Sequence, residues 1–360
     1  MRQVHEQVGH DCGARARLKG LSRRGALAGG LVALMALAMR SSAGTARADA
    51  PFGPWRAPLN RDHPLTGLIH DTRARRNISR AELELRLRAA QIAILGEVHD
   101  NPDHHRIQGL LLTAFAKGRG RPPAVVFEMI PTDMQKRLDS IMRVPELDAD
   151  MIFDAVRWDE SGWPGRDIYR PVMEAVARLR APVIAAGLPR ADVRKATREG
   201  LDAVLNGGQQ RRMQLAPLPE ALMNAMVADI VKSHCDMIPQ EVARRMSAAQ
   251  RLRDALLADA TRRGWRRQGS AVVITGNGHA RADRAVPLYL RRYGDVPAPF
   301  VIWQAEASEK ARQVADLLPE DARPPSKVAD IIIVTPKAKR EDPCAQFARF
   351  MRRKRNNKKQ

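Results

Sequence analysis

A chain of 360 residues that is 44% hydrophobic and 28% charged can bury one large core or two small ones. Its formal net charge of +21 invites a nucleic-acid reading, but residues 1–48 carry a net +6 and residues 349–360 a net +7, which leaves +8 for the rest. Charge confined to the two ends argues against a nucleic-acid partner, and the lack of any C-x-x-C pair argues against a structural zinc site.

Residues 1–48 read as a secretory signal peptide. A basic stretch, LSRRGAL, precedes the apolar run Ala28 to Met39, and Ala46-Arg47-Ala48 forms an A-x-A exit. The apolar run is too short to span a bilayer, and Ser22-Arg23-Arg24 resembles a twin-arginine signal. No cysteine follows the run, so no lipid anchor is expected, and the exported chain should begin near Asp49 in the periplasm. Cys12 leaves with the signal; Cys235 and Cys344 remain, and an oxidising compartment permits a bridge between them.

Residues 49–78, rich in Pro, Arg and Asp, suggest an irregular leading arm. Ser79 can cap a helix over Arg80 to Ala90, and strands and helices then alternate. Strands are expected over Ile92 to Leu95, Ala124 to Phe127, Pro182 to Ala186, Ala271 to Thr275, Phe300 to Trp303 and Ile331 to Val334. Helices are expected over His104 to Lys117 and Ile168 to Arg180. The alternation predicts a three-layer α/β/α sandwich on a mostly parallel sheet within residues 79–340. Between 191 and 264 the pattern is helical only, broken at Pro217, Pro219 and Pro239, and reads as an inserted helical subdomain overhanging the strand ends as a lid. The basic tail, 341–360, is expected to be disordered and solvated, with weak contact to anionic lipid as a secondary role.

Three strands end in ionisable residues: Gly96-Glu97-Val98-His99, Phe127-Glu128 and Thr275-Gly276-Asn277-Gly278-His279. In a parallel sheet the carboxyl ends of strands face the ligand crevice. Glu97, His99, Glu128 and His279 should therefore share one pocket, roughly 10 Å across or less. Two carboxylates and two imidazoles can share a proton, hold a divalent metal ion, or orient a water. His104 and His105 start a helix whose dipole opposes positive charge, so one of them could face a ligand anion; Asp103 or Asp100 is the expected cap. Trp158 and Trp163, in WDESGWP, either pin a loop or wall a flat ligand. Met246, Gln250 and Asp254 form one stripe at helical spacing that could look into the crevice. His234-Cys235-Asp236-Met237 offers side chains that can ligate haem iron.

GEVHDNPDHH, FEM, WDESGWP, the Gly187-Leu188-Pro189-Arg190 exit, SHCDM, AAQRLRDALLADA and ITGNGHAR together resemble the ChaN family, haem-binding uptake proteins of the Tiki and erythromycin-esterase-like superfamily. The resemblance spans Ala81 to Ala305. It implies the same sandwich with a helical insert, a core site at Glu97, His99, Glu128 and His279, and proton transfer or metal coordination there in hydrolytic relatives. Two readings follow. In the first, the chain is a periplasmic haem- or iron-binding protein, with homodimerisation open. Haem would lie between strand ends and insert, with His234 as a ligand, Trp158 and Trp163 as walls, Gln250 and Asp254 facing it, and Arg281 or Arg166 meeting its propionates. In the second it is a hydrolase of esters or peptides, with His99 as general base or metal ligand.

Overall fold

The computed structural model describes residues 51–357, so the signal-peptide and twin-arginine expectations lie outside the described residues. Eight strands form one sheet: β1 (Ile69–Asp71), β2 (Arg76–Asn77), β3 (Ile92–Glu97), β4 (Ala124–Pro131), β5 (Val183–Gly187), β6 (Ala271–Gly276), β7 (Phe300–Glu306) and β8 (Ile331–Thr335). Their order is β2-β1-β8-β7-β3-β6-β4-β5. Strands β3 to β8 pair parallel, and β1 runs antiparallel to both β2 and β8.

The apolar runs are unbroken because both faces of the sheet are covered. Along β3, Ala93 and Leu95 join one core with Leu83, Ile107, Leu111 and Val172. Ile92 and Ile94 join the other core with Leu252, Leu257, Val286 and Tyr289. Helices Arg80–Ala89, Pro102–Ala116 and Arg166–Leu179 therefore cover one face, and helices Gln240–Gln268 and Ala285–Arg292 the other. This is the three-layer α/β/α architecture that the alternating pattern predicts.

Three expectations need correction. The leading arm is not wholly irregular, since residues 69–77 add β1 and β2 to the sheet. The last helix of the insert is also a layer of the sandwich: at Gly264 a Cβ would stand 2.7 Å from the Ala124 side chain, so helix Gln240–Gln268 lies directly on the sheet. The described part of the tail is not irregular, because Pro343–Asn357 is a helix and a disulfide joins Cys344 to Cys235 across 109 residues. Among the described residues no helix is long and apolar enough to cross a membrane.

Candidate functional site

Strands β3 and β6 run level, with Glu97 opposite Gly276. Strand β4 pairs with β6 as far as Phe127 opposite Ile274, so Glu128 emerges beside Thr275 where regular pairing stops. The three strand ends thus meet, and Gly276 is the hinge of the site. A Cβ there would stand 2.9 Å from His99 Nε2 and 3.6 Å from Glu128 Oε2, so only a glycine lets the His99 ring settle over β6.

On one side, His99 Nδ1 donates to Glu97 Oε1 at 2.7 Å, and the Tyr169 hydroxyl donates to the same oxygen at 3.0 Å. His105 Nδ1 lies 2.7 Å from Glu97 Oε2, at ion-pair distance. The approach is off the bonding direction, so Oε2 accepts no directed hydrogen bond, and the ring instead donates from Nε2 to the His99 carbonyl at 2.9 Å. The His99 side chain is 35% exposed and lies 4.7 Å, centroid to centroid, from Trp163. Burial pushes its imidazole down, but the charge of Glu97 and its hydrogen bond outweigh this and raise it to about 9.

On the other side, Glu128 Oε2 accepts from Thr275 Oγ1 at 2.7 Å and from the Gly276 amide at 2.8 Å. His279 Nδ1 donates to Asp254 Oδ1 at 2.6 Å, and its Nε2 lies 3.3 Å from Glu128 Oε1. Gln250 Nε2 stands 3.2 Å from His279 Nδ1. Burial alone would lower His279, yet Glu128 and Asp254 raise it to about 10. Burial pushes both carboxyls up. At Glu128 the nearby His279 and His99 reverse this and hold it well below the usual range, whereas Asp254 stays above its ordinary value. Of the two acids at His279, Glu128 is the one whose charged form is favoured, by His279 and His99 first and by the Gly276 amide as well.

Glu97, His99, Glu128 and His279 therefore converge, with Gln250, Asp254 and Trp163 beside them. Other expected residues lie elsewhere. Trp158 is buried in the core, donating to the Pro164 carbonyl at 2.9 Å and packed on Tyr169 at 4.7 Å, so it walls nothing. Arg281 is 3% exposed and bonded to Asp283 and Asp321, which leaves it no free face for a propionate. Arg166 is bound to Asp154 and Asp159. His234 caps helix Glu220–Ser233 and packs edge-on against Phe347 of the tail helix, with no contact to the strand-end cluster. Neither His104 nor His105 faces a ligand: both are fully buried, and His104 is held well below its ordinary value by burial, bonded to the Val98 amide and Thr335. The helix is capped by Asn101, not by an aspartate; Asp103 instead accepts from the amides of Arg56 and Ala57 in the leading arm, and Asp100 pairs with Arg340.

Two groups were not singled out from the sequence. Tyr169 and Thr275 complete the carboxylate shells, and the one available signal was a hydroxyl inside the apolar stripe Tyr169, Val172, Met173 and Val176. Chemically, the cluster is two imidazoles kept protonated at neutral pH by carboxylates. In that state it can donate a proton or attract an anion. Among the described residues no group of three or more His, Cys, Asp and Glu side chains is arranged to hold a metal ion. Two clefts, of about 680 and 400 Å³, open in the helical insert.

Among solved structures, the chain is similar to one described as cofacial haem binding to ChaN of Campylobacter jejuni, at 19% identity and a TM-score of 0.58, covering 74% of this chain and 95% of that one. It is more distantly similar to the erythromycin esterase EreC in an open conformation, at 12% identity and a TM-score of 0.42, covering 81% and 99%. It is also similar to the type III effector HopBA1, at 13% identity and a TM-score of 0.38, covering 71% and 92%. No curated protein matches the sequence. Residues 84–290 match the family described as haem-binding uptake, Tiki superfamily, ChaN. The chain belongs to the ChaN family of haem-binding uptake proteins.

Proposed function

We propose that this protein binds haem in the periplasm, for haem uptake or handling, with His234 as an iron ligand. Membership of a haem-binding uptake family and the fold shared with Campylobacter jejuni ChaN support the ligand. The Cys235–Cys344 bridge supports an oxidising compartment. One observation carries the assignment to His234. Its Nδ1 lies 2.7 Å from the Ile230 carbonyl, which can only accept, so Nδ1 holds the hydrogen and Nε2 keeps its lone pair. A fixed N–H to a backbone carbonyl is the arrangement that orients metal-binding histidines. Nε2 has no hydrogen-bond partner among the described residues, and Phe347 supplies an apolar wall 5.3 Å from the ring. The large cleft of the insert fits iron less well, because its lining contains no His, Met, Cys or Tyr. Bound haem would supply an iron that the His234 imidazole could hold. Titration with haem should give a saturable Soret shift, weakened roughly tenfold or more in His234→Ala. A shift that never saturates, or an unaltered titration of the variant, would refute the assignment.

A second reading, hydrolysis at the strand ends, has one observation in its favour: His99 is half-buried where Glu97, Glu128 and His279 are buried, and it is backed by Glu97 and flanked by Trp163. It would protonate a leaving group and leave attack to water. An ester and peptide screen with His99→Gln as control tests this, and turnover that survives the substitution would dismiss it.

A further inference from the structure

We infer that the C-terminal helix is a docking surface for anionic membranes, independently of whether His234 binds haem. The helix Pro343–Asn357 has two faces. Cys344 is tied to the body by its disulfide, and Phe347, Ala348 and Met351, at helical spacing from it, are half-buried. The opposite side presents Arg349, Phe350, Arg352 and Arg353, all exposed. Arg349 is paired with Glu341; Arg352 and Arg353 are in no ion pair among the described residues. Residues 349–360 contain seven Lys and Arg and no acid.

Charge alone would fit any polyanion. The second observation is apolar. Among the described residues only Leu59, Leu85, Met237 and Phe350 are large hydrophobic side chains left exposed, and Phe350 is 56% exposed. Met237 is two residues from Cys235 and Phe350 six from Cys344, and the disulfide holds those cysteines 5.6 Å apart at Cα. Phe350 lies on the cationic side of the helix, and Met237 is a second exposed apolar side chain, two residues from the bridged Cys235. Headgroup phosphates take the cations while an aromatic ring and a thioether enter the acyl boundary; a nucleic-acid backbone has no use for the second part. The disulfide ties this charged segment to the body of the protein, so that its exposed side is presented in one orientation.

The test is co-sedimentation of the oxidised protein with phosphatidylcholine vesicles, with or without phosphatidylglycerol. Capture should occur only with the anionic vesicles and be lost as salt rises from about 0.05 to 0.5 M. Arg352→Ala with Arg353→Ala should weaken it roughly thirtyfold, at an unchanged unfolding midpoint. Phe350→Ser should weaken it severalfold without altering the salt dependence. Equal capture by neutral vesicles, an unaffected double variant, no capture at all, or tighter retention on a random DNA duplex would each overturn the inference.

Discussion

Glu97 and His99 are separated by one residue, yet each is useful only because of neighbours distant in the chain: Tyr169 on one carboxylate oxygen, Gly276 under the imidazole. The raised imidazoles make a prediction whose sign follows from linkage. His99 and His279 stand at about 9 and about 10 in the fold, against an ordinary 6.5. Their stabilisation is complete below about pH 6.5 and lost as pH climbs through 9 to 10. Glu128, held low, contributes the opposite limb, present above its ordinary value and lost on acidification. Urea unfolding across pH should show a decline on the alkaline side, and His279→Gln should flatten its upper part. An identical alkaline limb in the variant would show that the His279 pairs do not matter. The four strand-end residues were legible because an acid or imidazole directly after an apolar run has few structural uses. Tyr169 was not, since the register of a helix against a sheet is set by packing that no local pattern encodes. Trp158 and Arg281 misled for the same reason in reverse: a tryptophan can go to the core, and a buried arginine can be satisfied entirely by aspartates.

At the scale of elements, the helices that bring Tyr169 to Glu97 meet at a glycine. A Cβ on Gly109 would stand 2.5 Å from the Pro171 carbonyl oxygen and 3.0 Å from its carbon, backbone atoms that cannot swing away. Gly109→Ala should therefore destabilise by roughly 1–3 kcal/mol, by prising helix Arg166–Leu179 off helix Pro102–Ala116. Gly120→Ala, with open space around it, should change stability by less than about 0.5 kcal/mol. Chemical denaturation of the two variants decides it, and equal effects would mean the crossing is looser than its distances imply. Central strands were readable because burial on both faces leaves nothing but apolar residues. Strands β1 and β2 were not, being three and two residues long; they exist through tertiary pairing, Ile69 against Ile333 and His70 against Asn77. The tail helix was hidden by its charge, because like charges disfavour local structure until a cross-link anchors the segment.

For the whole molecule, the disulfide and the proposed export signal give two predictions. Reduction, or Cys235→Ser with Cys344→Ser, should free the tail helix so that trypsin removes it before cutting the sandwich. Retention of the tail at equal protease exposure would show that packing alone holds it. Replacing Arg23 and Arg24 by lysine should block periplasmic accumulation if the signal is of the twin-arginine type, and normal accumulation would point to general secretion. The strand order has a kinetic corollary. Strand β3 lies between β6 and β7, both made far later in the chain than β3 itself. A nascent chain that has reached only β5 carries β3 with both edges unpaired, a sticky intermediate in need of shelter. Such non-local closure makes folding slow, and a chaperone that delays collapse until residues 271–306 emerge should raise the yield more than one that speeds local helix formation. The waiting time for Glu97 and His99 is the synthesis time of their neighbours.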